Sequence, residues 1–221
     1  LLTNRVQTGK LPVAVNTRVV TTSILRLTYA GQPAASRTTH RPVPLVVRRR
    51  TMMSTQRNII SRMKKELASR FPGCGILVAG SVQRGEERPD SDLDLFVVFP
   101  GDGELGLTHE TSPEGTKIDL ALFPQDAFRR QVRTEWFNFW MFSRAEIVHD
   151  PTGIAKRSRD IVLAYFRQHP SVDAAWVKQL QEVKRHKADR SYIPEFPTWE
   201  AFSKHVRTLI PQQATDCAGE M

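Results

Sequence analysis

Cysteine is scarce in this chain of 221 residues: Cys74 and Cys217 stand far apart, with no CxxC pair and no histidine cluster beside them. Neither a disulfide framework nor a structural zinc site is therefore expected, and a reducing, cytoplasmic compartment fits best. Long apolar runs are also missing. The best candidate, Gly75 to Ser81, ends in polar residues, and a membrane-spanning helix needs about 20 apolar residues. No membrane association is expected. Acidic residues are absent from positions 1 to 50, which carry nine of the 32 lysines and arginines and so account for the whole net charge of +9. The remaining 23 basic and 23 acidic residues balance. The basicity therefore does not indicate a nucleic-acid groove on the folded domain, and a template-directed polymerase is disfavoured.

What is present begins beyond that leader. Residues 1–51 mix Thr, Arg, Pro and Val without sustained periodicity and are expected to form a basic, disordered leader. The favoured account is that the native product starts at Met52 or Met53. The alternative, an organellar transit peptide, would imply import. From Ser54 onward Ile59, Ile60, Met63, Leu67 and Phe71 recur at helical spacing, with Ser54 or Thr55 available as N-cap. Pro72 and Gly73 end that helix. Apolar strands are predicted at 74–79, 93–99 and 117–123, with a long polar connection or hairpin over 101–116. Beyond Pro124 the period turns helical: Phe128, Val132, Trp136, Phe139 and Phe142 share one face. Further helices are expected around Ile161 to Phe166, around Trp176 to Val183 with Ser171 as cap, and over 198–210 with Thr198 as cap. His149 and Asp150, ahead of Pro151, read as turn chemistry. The organisation is an α/β (α+β) domain at 52–150, a small mixed sheet flanked by helices, then a helical region at 151–211 and a flexible tail at 212–221.

The chemistry is concentrated between two of the strands. Gly80-Ser81 is followed, after ten intervening residues, by Asp92-Leu93-Asp94 at the head of an apolar run. Strand alternation puts Asp92 and Asp94 on one face and Leu93 and Leu95 on the other. Two carboxylates that close repel unless a cation neutralises them, and hard oxygen ligands suit Mg²⁺ or Mn²⁺. Asp119, within the apolar stretch Lys117 to Phe123, would complete a three-carboxylate site if its strand lies beside that of Asp94. Such a site can hold two cations about 4 Å apart for in-line displacement at phosphorus. Gly80 permits close approach of a phosphate, and the Ser81 hydroxyl with successive backbone N–H groups can hold a triphosphate. Arg84 is equally readable as a phosphate contact and as a surface loop arginine. Asp90, after Pro89, reads as a turn residue; His109 and Glu110 could help activate an acceptor, but a polar loop accounts for them more simply. The basic cluster at Lys184, Arg185, His186, Lys187 and Arg190 could touch a triphosphate from the helical tail, but the dipole at a helix C-terminus already accounts for it.

The segments Gly80-Ser81-Val82-Gln83-Arg84-Gly85 and Pro89-Asp90-Ser91-Asp92-Leu93-Asp94-Leu95 resemble the signature of the minimal nucleotidyltransferases of the DNA polymerase beta superfamily, and Asp119 matches that family's third acid. Gln83 stands where many relatives have a small residue. The resemblance covers about residues 54 to 150 and implies a metal-dependent enzyme with Asp92, Asp94 and Asp119 as catalytic metal ligands and Gly80, Ser81 and Arg84 on the nucleotide. It would move a nucleoside monophosphate, AMP from ATP being the expected case, to a hydroxyl of a small molecule or protein, as antibiotic adenylyltransferases and antitoxin-type enzymes do. The acceptor pocket would be built from the helical tail and the 101–116 connection. Two alternatives stand beside it: a non-catalytic NTP-binding or antitoxin module, disfavoured by retention of all three acids, and an RNA nucleotide-adding enzyme, disfavoured by the balanced domain charge.

Overall fold

The computed structural model describes residues 45–86 and 91–210, with side chains from Gln56 onward. The predicted leader up to residue 44, Asp90 and the tail from 211 lie outside the described residues. Helix α1 (Leu45–Arg70) starts well before the predicted cap, so Ser54 and Thr55 fall inside it and the expected boundary at Met52 cuts a continuous helix. No glycine or proline interrupts the sequence from Leu45 to Phe71, which leaves nothing local to stop the helix earlier.

Strand β1 (Gly75–Ala79) follows, then a single turn α2 (Gly80–Gln83), β2 (Leu93–Phe99), β3 (Gly106–Thr111) and β4 (Lys117–Pro124). Residues 101–116 thus form a hairpin with β4 and not an open connection. Next come α3 (Gln125–Glu135), a 3-10 turn (Trp136–Phe139), α4 (Trp140–Arg144) and β5 (Glu146–His149). Strand β5 corrects the reading of His149 as a turn residue: His149 pairs with Ile76. The chain ends in α5 (Ile154–Gln168), α6 (Pro170–Ala188) and α7 (Trp199–Thr208).

The sheet order is β3-β4-β2-β1-β5; β2 and β4 run parallel, and every other pair is antiparallel. Alternation divides its residues cleanly. Ile76, Val78, Leu93, Leu95, Val97, Ile118 and Leu120 pack on Ile59, Met63 and Leu67 of α1. The opposite parity, Leu77, Phe96, Val98, Ala121 and Phe123, meets the aromatic helices, where Phe128, Phe137, Phe142 and Phe202 are fully buried. Each such Phe contributes about 1.5–3 kcal/mol of burial. The five residues expected on one helical face are all buried, but the backbone carrying them is broken into α3, a 3-10 turn and α4.

The helical tail is fixed by indoles. Trp140 and Trp176 stack with centroids 5.7 Å apart and planes 7° apart. Trp176 Nε1 donates to the Phe137 carbonyl at 2.9 Å, and Trp140 Nε1 to Asp173 at 2.7 Å. Together these seat α6 against α4. Thr198 caps α7 as predicted, accepting from Ala201 N–H at 3.2 Å. The predicted cap Ser171 lies inside α6 instead, because Pro170 opens the helix and moves the N-cap to His169. Asp150 does act locally: its carboxylate accepts from the N–H groups of Ala155 and Lys156, satisfying the start of α5.

Candidate active site

The acids are placed by sheet register. In the parallel pair Asp94 lies directly opposite Asp119, and in the antiparallel pair Asp94 lies opposite Ala79. One rung therefore runs from the end of β1 through Asp94 to Asp119. Both acids share the parity of Phe96 and Phe123, so they face the side of the sheet that carries the helical tail. Each is only 8% exposed. Asp92 stands two residues ahead of Asp94, just before the strand begins, and is half-buried.

Burial raises Asp94 well above the ordinary carboxylate range, to about 7, and the neighbouring charges of Asp119 and Asp92 push the same way; Arg84 and Lys187 oppose them. The shift comes first from burial and then from neighbouring negative charge that the opposing cations do not fully neutralise. Hard carboxylate oxygens under such strain suit Mg²⁺ or Mn²⁺, with Asp92 and Asp94 as the pair in the cleft. Among the described residues, no three His, Cys, Asp or Glu side chains are already gathered as a metal cage. Asp119 has another partner: its Oδ1 lies 2.5 Å from Nδ1 of His109, which the hairpin register places opposite it.

Gly80 links β1 to the single turn α2, and its conformation is enforced from two sides. Its φ is +73°, and a Cβ built there would fall 1.8 Å from Oδ2 of Asp94. Only glycine fits against the acid in the left-handed region. Ser81 follows in the single turn α2, half-buried beside the acids.

These groups open into a cleft of about 400 Å³. Gly80, Ser81, Arg84, Asp92 and Asp94, all predicted, line its sheet side, whereas Asp119 sits next to Asp94 on the adjoining strand without lining the cleft. The other wall comes from α4 and the helical tail. It consists of Trp140 and Met141 of α4 and of Leu180, Val183, Lys184 and Lys187 of α6. Lys184 and Lys187 were assigned to a helix dipole, but their helical phase turns them into the cleft. Arg185, from the same cluster, instead lies over the Tyr192 ring at 4.1 Å, and His186 Nδ1 contacts the Tyr192 carbonyl at 2.6 Å. The tail contributes to the cleft as expected, but no residue of 101–116 lines it. His109, read from the sequence as part of a polar loop, is instead set against Asp119 by the hairpin register. Alternation of Leu107, His109 and Thr111 was its only signal, and it is weak without knowing the hairpin register.

Residues 60–141 match the nucleotidyltransferase domain family. The chain also resembles the crystal structure of a nucleotidyltransferase-like protein from Exiguobacterium sibiricum 255-15, at 15% identity and a TM-score of 0.38, over 72% of this chain and 55% of that one. It thus spans about half of that protein's length. No curated protein matches the chain. Among the described residues no helix is long and apolar enough to cross a membrane.

Proposed function

We propose, from the premise that residues 60–141 form a nucleotidyltransferase domain, that the chain transfers AMP from ATP to a hydroxyl of a small molecule or protein in a metal-dependent reaction that releases pyrophosphate. The observation that carries this reading is the rung joining Ala79, Asp94 and Asp119, with Gly80 moulded onto Asp94 beside a cleft that Asp92 also lines. Asp92 and Asp94, with Asp119 alongside, would hold Mg²⁺ or Mn²⁺, which when bound would neutralise charge on the α-phosphate and the departing pyrophosphate.

The chain's own groups do the rest. Gly80 leaves room for the phosphate chain, and Ser81 donates to it through hydroxyl and backbone N–H. Arg84 and Lys187, the cations that lower Asp94's affinity for a proton, counter the remaining phosphate charge. The apolar wall of Trp140, Met141, Leu180 and Val183 excludes water from the nucleoside side. The acceptor oxygen forms a bond to the α-phosphorus as the bond to pyrophosphate breaks, and its proton passes to Asp119, which His109 steadies through its ring nitrogen.

The test is transfer from α-labelled NTPs, with Mg²⁺ or Mn²⁺, to three pools: small molecules, total cell protein and tRNA. Label should enter one of the first two. Asp92→Asn and Asp94→Asn should lose metal-dependent NTP binding, while Asp119→Asn keeps it and loses turnover. Labelling of tRNA alone would overturn the acceptor class. Near-parent turnover by Asp119→Asn would overturn its role.

A further inference from the structure

One anion is out of place in the cleft. Its upper rim carries three cations, Arg84, Lys184 and Lys187, as a site for a polyanion requires, yet Glu86 projects among them. Glu86 Oε2 accepts from Arg84 Nε at 2.8 Å and lies 2.7 Å from Lys184 Nζ, and its Oε1 lies 2.8 Å from the same ammonium. The bridge spans 98 residues of sequence and joins the loop after α2 to the last turn and a half of α6. Every member is partly exposed, with side chains 29% (Arg84), 46% (Glu86) and 43% (Lys184) open to solvent. Such pairs exchange partners readily, because exposed ion pairs are individually weak.

Resting on the donor-site reading above, we propose that Glu86 is a resident stand-in for the nucleotide's phosphates: it holds Arg84 and Lys184 at the mouth of the empty cleft and is displaced when a polyphosphate takes both cations. Three features support this over a simple brace. The carboxylate engages two cations on opposite walls of the cleft that also holds the acids. A polyphosphate offers more charge and more oxygens than one carboxylate, so exchange favours it. Glu86 also belongs to the lining of the cleft itself, together with Arg84, Lys184 and Lys187, and so occupies space in which a polyanion would meet these cations. Lys184 then belongs to the donor-binding set, and the helical tail contributes directly to substrate affinity.

The experiment compares the parent chain with Glu86→Gln, Lys184→Gln and the double variant, by calorimetric titration with tripolyphosphate and with ATP·Mg²⁺. Removing a competitor held by two exposed pairs should tighten both ligands by about threefold to tenfold. Lys184→Gln should weaken both by a similar factor, and the gain from Glu86→Gln should shrink in the double variant, since the two residues share one pair. Thermal unfolding of each variant reports the brace alternative. A Glu86→Gln protein that binds both ligands no more tightly than the parent, or that loses affinity together with thermal stability, overturns the proposal. If the parent binds ATP·Mg²⁺ and Glu86→Gln brings no gain, the stand-in role fails and the donor site stands. If tripolyphosphate shows the gain but ATP is never transferred, the donor reading fails and the polyanion exchange stands. Failure of the parent to bind either ligand overturns both.

Discussion

The two walls of the cleft are held in place by different means. On the sheet side, Asp94 is positioned by backbone ladders to β1 and β4, and Gly80 is pressed against its carboxylate; the backbone that carries the acids cannot shift without breaking those hydrogen bonds. On the helical side, Lys184 and Lys187 are long, partly exposed side chains on a helix seated by indole stacking. The first wall has geometry without freedom, and the second has charge with freedom. Chemistry that needs fixed ligand positions belongs on the first. Binding that must admit and release a charged substrate belongs on the second.

The sharpest way to break this contrast is to remove charge from the rigid wall. Asp94→Asn should lower label transfer roughly a hundredfold or more, the scale on which one preorganised electrostatic group acts. The same variant has a signature in metal-free unfolding. Because the folded-state pKa of Asp94 is raised from 3.8 to about 7, the folded protein binds the extra proton between those values. Its stability should therefore fall as pH rises from about 4 to about 7 and level off above. Asp94→Asn should flatten that slope, and an unchanged slope in thermal melts from pH 4 to 8 would show that Asp94 is not the group responsible.

Next in size is Gly80→Ala, which forces a left-handed alanine and a clash with the Asp94 carboxylate. It should cost about 2–4 kcal/mol in denaturant unfolding, with metal-dependent NTP binding lost. A well-folded variant that binds normally would mean that the rigid wall is softer than its register implies. The smallest effect should come from the mobile wall: Trp176→Phe keeps most of the packing but orphans the Phe137 carbonyl. A loss of about 1–2 kcal/mol is expected, with NTP affinity falling severalfold as α6 loosens and catalysis at saturating substrate largely kept. A drop in turnover as large as in Asp94→Asn would erase the distinction between the walls.

The same contrast explains what could be read from the chain alone. Strand β2 was placed at its true limits, because Leu93 to Phe99 is an apolar run bounded by polar residues and a proline, a signal intrinsic to sequence. Once β2 was recognised, parity put Asp92 and Asp94 on a common face; Asp119 joins them only through the pairing of β4 with β2, whose register sets it opposite Asp94. Strand β5 was missed because Glu-Ile-Val-His is four residues long, partly polar and adjacent to Asp-Pro, so its pairing with β1 is a tertiary fact. Lys184 and Lys187 were passed over because a basic helix terminus has a sufficient local explanation, and only the rotation imposed by the Trp140–Trp176 stack distinguishes them from Arg185. His109 depended on a hairpin register that no residue between 101 and 116 announces.

The rung Ala79, Asp94, Asp119 has a final consequence, for how length can vary in such a chain. Each of its three positions is locked by strand pairing, so a single residue inserted within Leu93–Phe99 or Lys117–Pro124 would break the parity that keeps the acid in phase with the core residues of its own strand beyond the insertion. The segments between the strands are under no such constraint, since closing a longer loop costs only about 0.6 kcal/mol per doubling of its length. Insertions between Glu86 and Ser91, or in 100–105, can therefore change loop length while the acids keep their places in the sheet, making this scaffold tolerant of change in its loops and unforgiving by one residue in its strands.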